Sequence, residues 1–329
     1  MTYTLSRIAI ANCMPDDAAA ACPSKAFRTK DGGVKIWMTR NLNWNGGPEI
    51  GAMKLGSRLV PAYSGSATSG GYDPQDPYIE RNPAYDEEES GGSVKGDQAV
   101  TDRHGRLYTL DEILLGTPAG GLGRGITSIE WPSAYNVGST FVDAVGTQIT
   151  ARVFKSAEMK AVTDDERFFA ENPALSAQIQ GICPYGWHIA NFRDWYDLAY
   201  AALEASRGDG TYPVREEMLT IAKLVATNAN NVAPWLRTQE GWNSTPARAA
   251  GADAFDFNLY PTGWRLNKNG YGQYGDTAHS WVPLIGSSVK KTWRLNNVKA
   301  TSNYWFNDNL DAGNPAVGIR CVKNYKVKK

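Results

Sequence analysis

Apolar residues recur at helical spacing directly after Asn191. They fall three and four residues apart on one helix face, at Trp195, Leu198, Ala199 and Ala202. Asn191 is a favourable capping residue, and Asp194 stands at the third helical position. The pattern therefore predicts a helix that begins after Asn191.

Two further helices are predicted on either side of this one. The spacing Thr163-x-x-Glu166 is that of a capping box, and it predicts a short helix whose end is marked by Pro173. A second helix is predicted over about residues 214–227, with one apolar face formed by Val214, Met218, Ile221, Ala222 and Val225.

Strands are predicted at both ends of the chain. Residues 33–44 follow a Gly-Gly pair and alternate enough, at Val34, Ile36 and Met38, to predict a strand. From residue 255 onward, short apolar runs separated by Gly, Asn and Pro predict short strands and no helix. A mixed region, then helices, then strands is the order of an α+β fold.

Composition narrows the class of protein. The 34 basic and 34 acidic side chains of the 329-residue chain cancel, which argues against a nucleic-acid partner. A hydrophobic share of 42% with 21% charged residues is that of a globular chain. The 33 Gly and 11 Trp residues favour a loop-rich fold with aromatic anchors.

Residues 64–99 differ in character from their surroundings. They are poor in aliphatic residues and rich in Gly, Ser, Asp and Pro, which predicts a long surface excursion. The first residues of the chain contain only a short apolar stretch, and no apolar run reaches the length of a membrane span. We therefore expect neither a secretory signal in this sequence nor a membrane-spanning segment.

The four cysteines are Cys13, Cys22, Cys183 and Cys321, and none forms a C-x-x-C pair. An even number without metal-ligand spacing fits two disulfides better than a zinc site. Four buried thiols in a reducing compartment are an equally good interpretation. The residues alone leave both states open.

Catalytic signatures are missing from the sequence, which contains no G-x-S-x-G elbow, Walker loop or H-E-x-x-H pattern. His188, between Trp187 and Ile189, is predicted to have a structural, hydrogen-bonded role. The oxygen-rich run at residues 307–311 has side chains suited to calcium, but it lacks the EF-hand spacing. We expect an Asx-rich turn there, and no cofactor.

Aromatic and amide side chains are concentrated between Trp281 and Asn314. Trp and Tyr supply stiff contact area and Asn supplies adaptable hydrogen bonds, a mixture typical of binding surfaces. Trp281 and Trp293 stand on predicted strands, where filling the core is the favoured interpretation, whereas residues 303–314 are expected to be exposed. The candidate ligand-binding residues are Trp293, Asn296, Asn297, Asn303, Tyr304, Trp305, Asn307 and Asn309.

Six short motifs occur in a characteristic order along the chain. They are W-M-T-R-N-L at 37–42, G-R-L-Y at 105–108, C-P-Y-G-W-H-I at 183–189, G-W-N at 241–243, P-T-G-W-R at 261–265 and G-I-R-C-V at 318–322. With these motifs the chain resembles the Fibrobacter succinogenes major paralogous domain family, which is abundant in Bacteroidetes. The resemblance divides the chain into an N-terminal segment (1–32), one domain (33–325) with a surface insertion at about 64–99, and a basic tail (326–329).

The central motif and the helix after it are also similar to those of formylglycine-generating, sulfatase-modifying proteins. This similarity implies a C-type-lectin-like fold, with a twisted antiparallel core, two main helices and long irregular loops. The catalytic version of the fold uses a reactive cysteine pair. Here only Cys183 and Cys321 lie inside the domain, within structural motifs, so the activity is not carried over. We expect these two cysteines to meet in a disulfide.

Variable proteins of diversity-generating retroelements share this fold and display variable residues near the C-terminus. The resemblance therefore implies a non-enzymatic, surface-displayed binding protein of the adhesin or receptor-binding type. Its partner would be a cell-surface protein or glycan, contacted by C-terminal loops, and its location extracellular, at the cell surface or on a phage virion. The alternatives are a formylglycine-generating-type oxidoreductase and a structural component of a phage tail or pilus tip.

Overall fold

The structure is a computed structural model that combines antiparallel strands with helices. It describes residues 23–42, 60–61, 96–97, 105–108, 138–152, 154–181, 183–184, 186–206, 219–225, 236–238, 253, 256–266, 270–272, 277–288, 291–299 and 317–326. The strands are β1 (Ser24–Arg28), β2 (Val34–Met38), β3 (Val60–Pro61), β4 (Gly96–Asp97), β5 (Thr140–Val142), β6 (Gln148–Thr150), β7 (Trp187–Ile189), β8 (Trp264–Leu266), β9 (Gly270–Gly272), β10 (Thr277–Ser288), β11 (Lys291–Lys299) and β12 (Cys321–Lys323). The helices are α1 (Ser156–Lys160), α2 (Asp165–Glu171), α3 (Phe192–Ser206) and α4 (Ile221–Leu224), with a 3₁₀ helix at Pro173–Ser176. The predicted α+β class is confirmed.

A four-stranded antiparallel sheet with the order β1-β2-β12-β7 brings together distant parts of the chain. β12 pairs with β2 through Val322 and Trp37, and with β7 through Cys321 and Ile189. β1 pairs with β2 along its whole length, so residues 24–28 of the segment before residue 33 belong to the same sheet as the motifs.

Part of the strand predicted over residues 33–44 is present as β2, which ends at Met38, and residues 39–42 are not strand. Burial does not follow the three apolar residues that indicated the strand. Val34 is 59% exposed, whereas Lys35 and Trp37 are buried. A lysine on the inner face of a strand needs charged partners, because an unpaired buried charge is very costly. Those partners lie on α3.

The centre of the core is a cluster of three fully buried rings, Trp37, Trp195 and Phe257. The ring centroids of Trp37 lie 4.9 Å from Trp195 and 5.5 Å from Phe257, in both cases edge to face. Such pairs contribute about 0.5–1.5 kcal/mol each beyond the area that they bury. The cluster joins β2, α3 and the segment before β8.

The helix predicted after Asn191 is confirmed as α3. The side chain of Asn191 accepts a hydrogen bond from the Asp194 amide (2.9 Å), and the Asp194 carboxylate accepts one from the Asn191 amide (2.9 Å). This reciprocal pair satisfies two amide groups that a helix start leaves without partners.

The helix predicted from Thr163 is present as α2, with a different cap. Asp164, not Thr163, accepts the capping hydrogen bond, which the Arg167 amide donates over 3.1 Å. A carboxylate caps at least as well as a threonine hydroxyl. The observed cap is therefore one residue later than the predicted one. Pro173 follows the end of α2, as predicted, and opens the 3₁₀ helix.

The helix predicted over about 214–227 begins later than expected. Thr220 has extended dihedral angles and its hydroxyl accepts a hydrogen bond from the Lys223 amide, so the described helix α4 starts at Ile221. The chain at 219–220 is not helical, and the earlier part of the prediction lies outside the described residues. The apolar spacing predicted one continuous helix through this point, but the cap at Thr220 starts the helix there.

The C-terminal third contains strands, as predicted, but two of them are long. β10 and β11 form an antiparallel hairpin, paired from Thr277 with Lys299 to Pro283 with Trp293, before the register shifts. Residues 277–283 of β10 are all buried, including Trp281, so this part of the strand is covered on both faces. Both-face burial explains why its sequence lacks the alternation that marks a long half-exposed strand.

The two ends of the predicted surface excursion meet in the structure. β3 and β4 pair antiparallel, Val60 with Asp97 and Pro61 with Gly96, on either side of residues 62–95, which lie outside the described residues. None of the helices in the described part of the chain has the length and apolar character that a membrane span requires.

Candidate functional site

The candidate ligand-binding residues divide between a strand and the segment after it. Trp293, Asn296 and Asn297 lie on β11, paired with the buried part of β10. The remaining candidates, and the oxygen-rich run at 307–311, lie outside the described residues: Asn303, Tyr304, Trp305, Asn307 and Asn309.

Both ends of the segment 300–316 are fixed on β10. On one edge of β10, Lys299 pairs with Thr277. On the other edge, Gly318 pairs in parallel with Ser280, whose hydroxyl donates a hydrogen bond to the Gly318 carbonyl (3.4 Å). Neighbouring strands are about 4.8 Å apart and a strand rises about 3.3 Å per residue, so Lys299 and Gly318 are held roughly 14 Å apart, diagonally across one buried strand.

Three of the recognised motifs meet beside this anchor, around Asn41. A Cβ atom added to Gly318 would lie 2.7 Å from Nδ2 of Asn41, and one added to Gly105 would lie 2.7 Å from Cβ of Asn41. The Leu42 amide donates to the Ile319 carbonyl (2.9 Å). A larger residue at 105 would overlap Cβ and the backbone carbonyl of Asn41, and a larger residue at 318 would have to displace the Asn41 side-chain amide.

Cys183 and Cys321 form a disulfide, with their Cα atoms 5.9 Å apart and neither side chain exposed. The pairing predicted from the family resemblance is confirmed, and the interpretation as buried thiols is wrong for these two residues. The bond joins the chain before β7 to β12. Cys13 and Cys22 lie outside the described residues.

A buried ionic network lies under the central sheet, with Asp194 at its centre. Nζ of Lys35 is 2.7 Å from Oδ1 of Asp194 and 2.9 Å from Oδ2 of Asp197. The hydroxyl of Tyr325 donates to Oδ1 of Asp194 (3.0 Å), and Nε2 of His188 lies 2.9 Å from its Oδ2. Asp194, which takes part in the cap of α3, thus also carries the charge that holds β2, β7 and the chain after β12.

The two ring nitrogens of His188 both have partners. Nε2 faces Asp194, and Nδ1 lies 3.0 Å from Oδ1 of Asn324. The side chain is fully buried, and its ring packs edge to face on Tyr325 at 5.5 Å. The structural, hydrogen-bonded role predicted for His188 agrees with this arrangement.

Neither main partner in the network titrates near neutral pH. Burial by itself lowers the pKa of Lys35, but Asp194, Tyr325 and Asp197 outweigh it and raise the pKa above its usual range. Burial by itself raises the pKa of Asp194, but Lys35 and His188 outweigh it and lower the pKa below its usual range. A general acid or base works best with a pKa near the working pH, so this pair has the character of a structural network.

Arg320, in the last motif, is 1% exposed, and its guanidinium binds backbone carbonyl groups inside the protein. Its guanidinium donates to the carbonyls of Met38 (3.1 Å) and Phe257 (2.9 Å), and its Cζ lies 4.5 Å from the centre of the Phe257 ring. It therefore links β2 and the segment before β8 to β12.

A cavity of about 320 Å³ opens beside the network, between the β1–β2 turn, α2, α3 and the chain after β12. Its walls include Lys35, Glu166, Phe169, Arg193, Asp197 and Tyr325. Sequence reasoning missed this site. Its one local signal is the i,i+4 pair Arg193–Asp197 on α3, whose Nε and Oδ2 atoms are 3.2 Å apart.

In the described part of the chain, no group of three or more His, Cys, Asp or Glu side chains is arranged to hold a metal ion.

Comparison with known proteins agrees with the motifs described above. The model of the Fibrobacter succinogenes major domain matches residues 32–323. The chain belongs to this family, as its motifs predicted. No curated protein and no solved structure shows significant similarity to it.

Proposed function

We propose that this chain is a non-enzymatic ligand-binding domain with a C-type-lectin-like fold, displayed outside the cytoplasm. Its partner is a cell-surface protein or glycan, recognised by β11 and the segment 300–316. The antiparallel sheet and the helices α2 and α3 agree with the fold that the family resemblance implies.

The observation that carries the proposal is the double anchoring of residues 300–316 on β10. Lys299 is held through Thr277 and Gly318 through Ser280, on opposite edges of a strand that is buried on both faces. Binding residues are commonly carried by connections that a rigid scaffold positions. The anchored segment carries Asn303, Tyr304, Trp305, Asn307 and Asn309, the residue types that protein-binding surfaces favour.

The disulfide supports display outside the cytoplasm. Disulfides persist in oxidising environments and are rare where thiol reductants are abundant. The bond between Cys183 and Cys321 is fully buried and joins two family motifs, so it belongs to the framework of the domain.

The same bond argues against the oxidoreductase alternative. A reactive cysteine must be a thiolate that its substrate can reach. Cys183 and Cys321 are bonded to each other and are not exposed, so neither meets this requirement. The pKa values of Lys35 and Asp194, which lie far from neutrality in opposite directions, supply no acid or base in its place.

The test is a binding screen against a glycan array and intact bacterial and animal cells. The wild type is compared with a variant in which Asn303, Tyr304, Trp305 and Asn307 are all replaced by alanine. A matched control carries Val142→Thr, a change at a 53% exposed position on β5. Circular dichroism establishes that all three proteins are folded.

We expect wild type and the β5 control to bind the same targets and the quadruple variant to lose them. Equal binding by the wild type and the quadruple variant would refute the placement of the site. Binding to no glycan and no cell by the wild type would refute the receptor-binding function itself.

A further inference from the structure

The wall of the cavity beside α3 includes Asp197, whose carboxylate has one buried oxygen without a partner. Oδ2 of Asp197 accepts a hydrogen bond from Nε of Arg193 (3.2 Å) and lies 2.9 Å from Nζ of Lys35. Oδ1 of the same carboxylate is buried and has no hydrogen-bond partner among the residues that the structure describes. The Asp197 side chain is 3% exposed and forms part of the cavity wall. A buried acceptor without a donor costs free energy that a hydrogen-bonding ligand recovers.

The charges around the cavity define which donor fits. The formal charges of the cavity wall balance. Its acidic residues are Asp31, Glu166 and Asp197, and its basic residues are Lys35, Arg193 and Lys326. A cationic ligand at Oδ1 would be repelled by Lys35 and Arg193, which already contact the same carboxylate. An anionic ligand would be repelled by the carboxylate oxygen Oδ1, which carries negative charge and needs a donor. A neutral hydroxyl donates to Oδ1 without either cost.

The size and the remaining walls favour a compact ligand with several hydroxyl groups. A volume of about 320 Å³ is at the lower end of the range for small-molecule sites. Phe169 and Tyr325 add aromatic surface, while the paired charges of Arg193 and Glu166 (3.0 Å) offer both donors and acceptors at the rim. A single sugar ring presents apolar C–H faces and alternating hydroxyl donors and acceptors in one small body.

We propose that this cavity is a binding site for a neutral polyhydroxylated compound, a single sugar ring or a polyol, with Oδ1 of Asp197 as its central acceptor. The site is formed by residues of β2, α2, α3 and the chain after β12. These are not the β11 and 300–316 residues of the proposed function, so the two proposals can be tested independently.

The test is isothermal titration calorimetry, with saturation-transfer NMR, on the full chain. The neutral probes are glucose, galactose, mannose, fucose, N-acetylglucosamine and myo-inositol. Glucosamine, glucuronate and inorganic phosphate serve as charged comparators. We expect at least one neutral probe to bind and the charged comparators to bind at least tenfold more weakly.

Two variants localise the binding. Asp197→Asn removes the charged acceptor and should weaken binding about ten- to a hundredfold. Because this change also touches the ion pairs of Lys35 and Arg193, a second variant leaves them intact. Ala170→Trp places a large ring into the cavity from an exposed position of α2 and should abolish binding. Val142→Thr on β5 is the matched control and should bind as the wild type does.

Three results would overturn the proposal: no binding of any neutral probe, preferential binding of a charged comparator, or undiminished binding by a folded Ala170→Trp variant. The quadruple alanine variant of residues 303–307 separates the two sites. It should retain the sugar or polyol while losing cell-surface targets, so the failure of one proposal is distinguishable from the failure of the other.

Discussion

Lys35 and Asp194 are 159 positions apart in the chain, yet their charged atoms lie 2.7 Å from each other in the interior. Their side chains are 6% and 0% exposed. Asp194 also caps α3 through the Asn191 amide, so a single carboxylate fixes both the start of a helix and its attachment to β2.

Replacing Lys35 with methionine should destabilise the domain by about 3–5 kcal/mol, because it leaves the carboxylates of Asp194 and Asp197 buried without their shared cation. Urea unfolding followed by tryptophan fluorescence measures the change. Arg167→Ala is the control, since its pair with Glu171 is exposed and should be unimportant for stability. Equal stability of the Lys35→Met variant and the wild type would show that the pair contributes nothing.

The network should make stability depend on pH at both extremes. The pKa of Asp194 is lowered in the folded state, so its contribution is present above its unfolded pKa of about 3.9 and is lost as the pH falls toward the folded value. The pKa of Lys35 is raised, so its contribution is present below the unfolded pKa of about 10.4 and is lost as the pH rises through the folded value. Free energies of unfolding measured between about pH 2.5 and 7 test the acid side and should fall as the pH is lowered.

The acid loss should be smaller in the Lys35→Met variant, because the charge that contributes most to lowering the pKa of Asp194 is gone. An identical pH dependence in the two proteins would contradict the role assigned to the pair.

Removing the disulfide by the double change Cys183→Ala and Cys321→Ala should cost about 2–5 kcal/mol, since the bond closes a large part of the chain into one loop. The readout is the urea midpoint of the oxidised wild type against the variant. Mass spectrometry of the wild type with and without reductant, after thiol alkylation, provides the control. Both cysteines are buried, so the alkylation is carried out on unfolded protein, and alkylation of both without reductant would contradict the assigned bond.

Gly105→Ala should be more destabilising than Gly146→Ala, although both glycines have positive φ values, +86° and +85°. A Cβ at Gly146 meets nothing within 4 Å, so that variant bears only the backbone strain of about 1–2 kcal/mol. A Cβ at Gly105 also lies 2.8 Å from the carbonyl oxygens of Asn41 and Leu42, which adds ~1–3 kcal/mol of overpacking. Thermal unfolding of the two variants measures the difference, and equal melting temperatures would rule out the crowding.

Local signals made α3 predictable. Asn191, Asp194 and the spacing of apolar residues after them are all within a few turns of one another, and the capping pair forms as the sequence indicates. At α2 two neighbouring residues, Thr163 and Asp164, are both good caps, and sequence spacing cannot rank them when the carboxylate has the better geometry.

The burial of Lys35 could not be read from its neighbours. Alternation along β2 marks a charged residue as an outward position, and the carboxylates that reverse this lie on a helix far along the chain. The same holds for the cavity, whose walls come from elements that only the fold brings together. Family motifs, in contrast, revealed the disulfide, because they carry long-range information that periodicity lacks.

The position of β12 also has a consequence for the order of assembly during synthesis. Of the four strands in the central sheet, it is the last that the ribosome makes, yet it lies between β2 and β7. Until residue 323 has been added, those two strands have no common neighbour and each presents an open edge. The β1–β2 hairpin needs no later strand, but the four-stranded sheet is complete only when β12 lies between β2 and β7, which also places Cys321 beside Cys183.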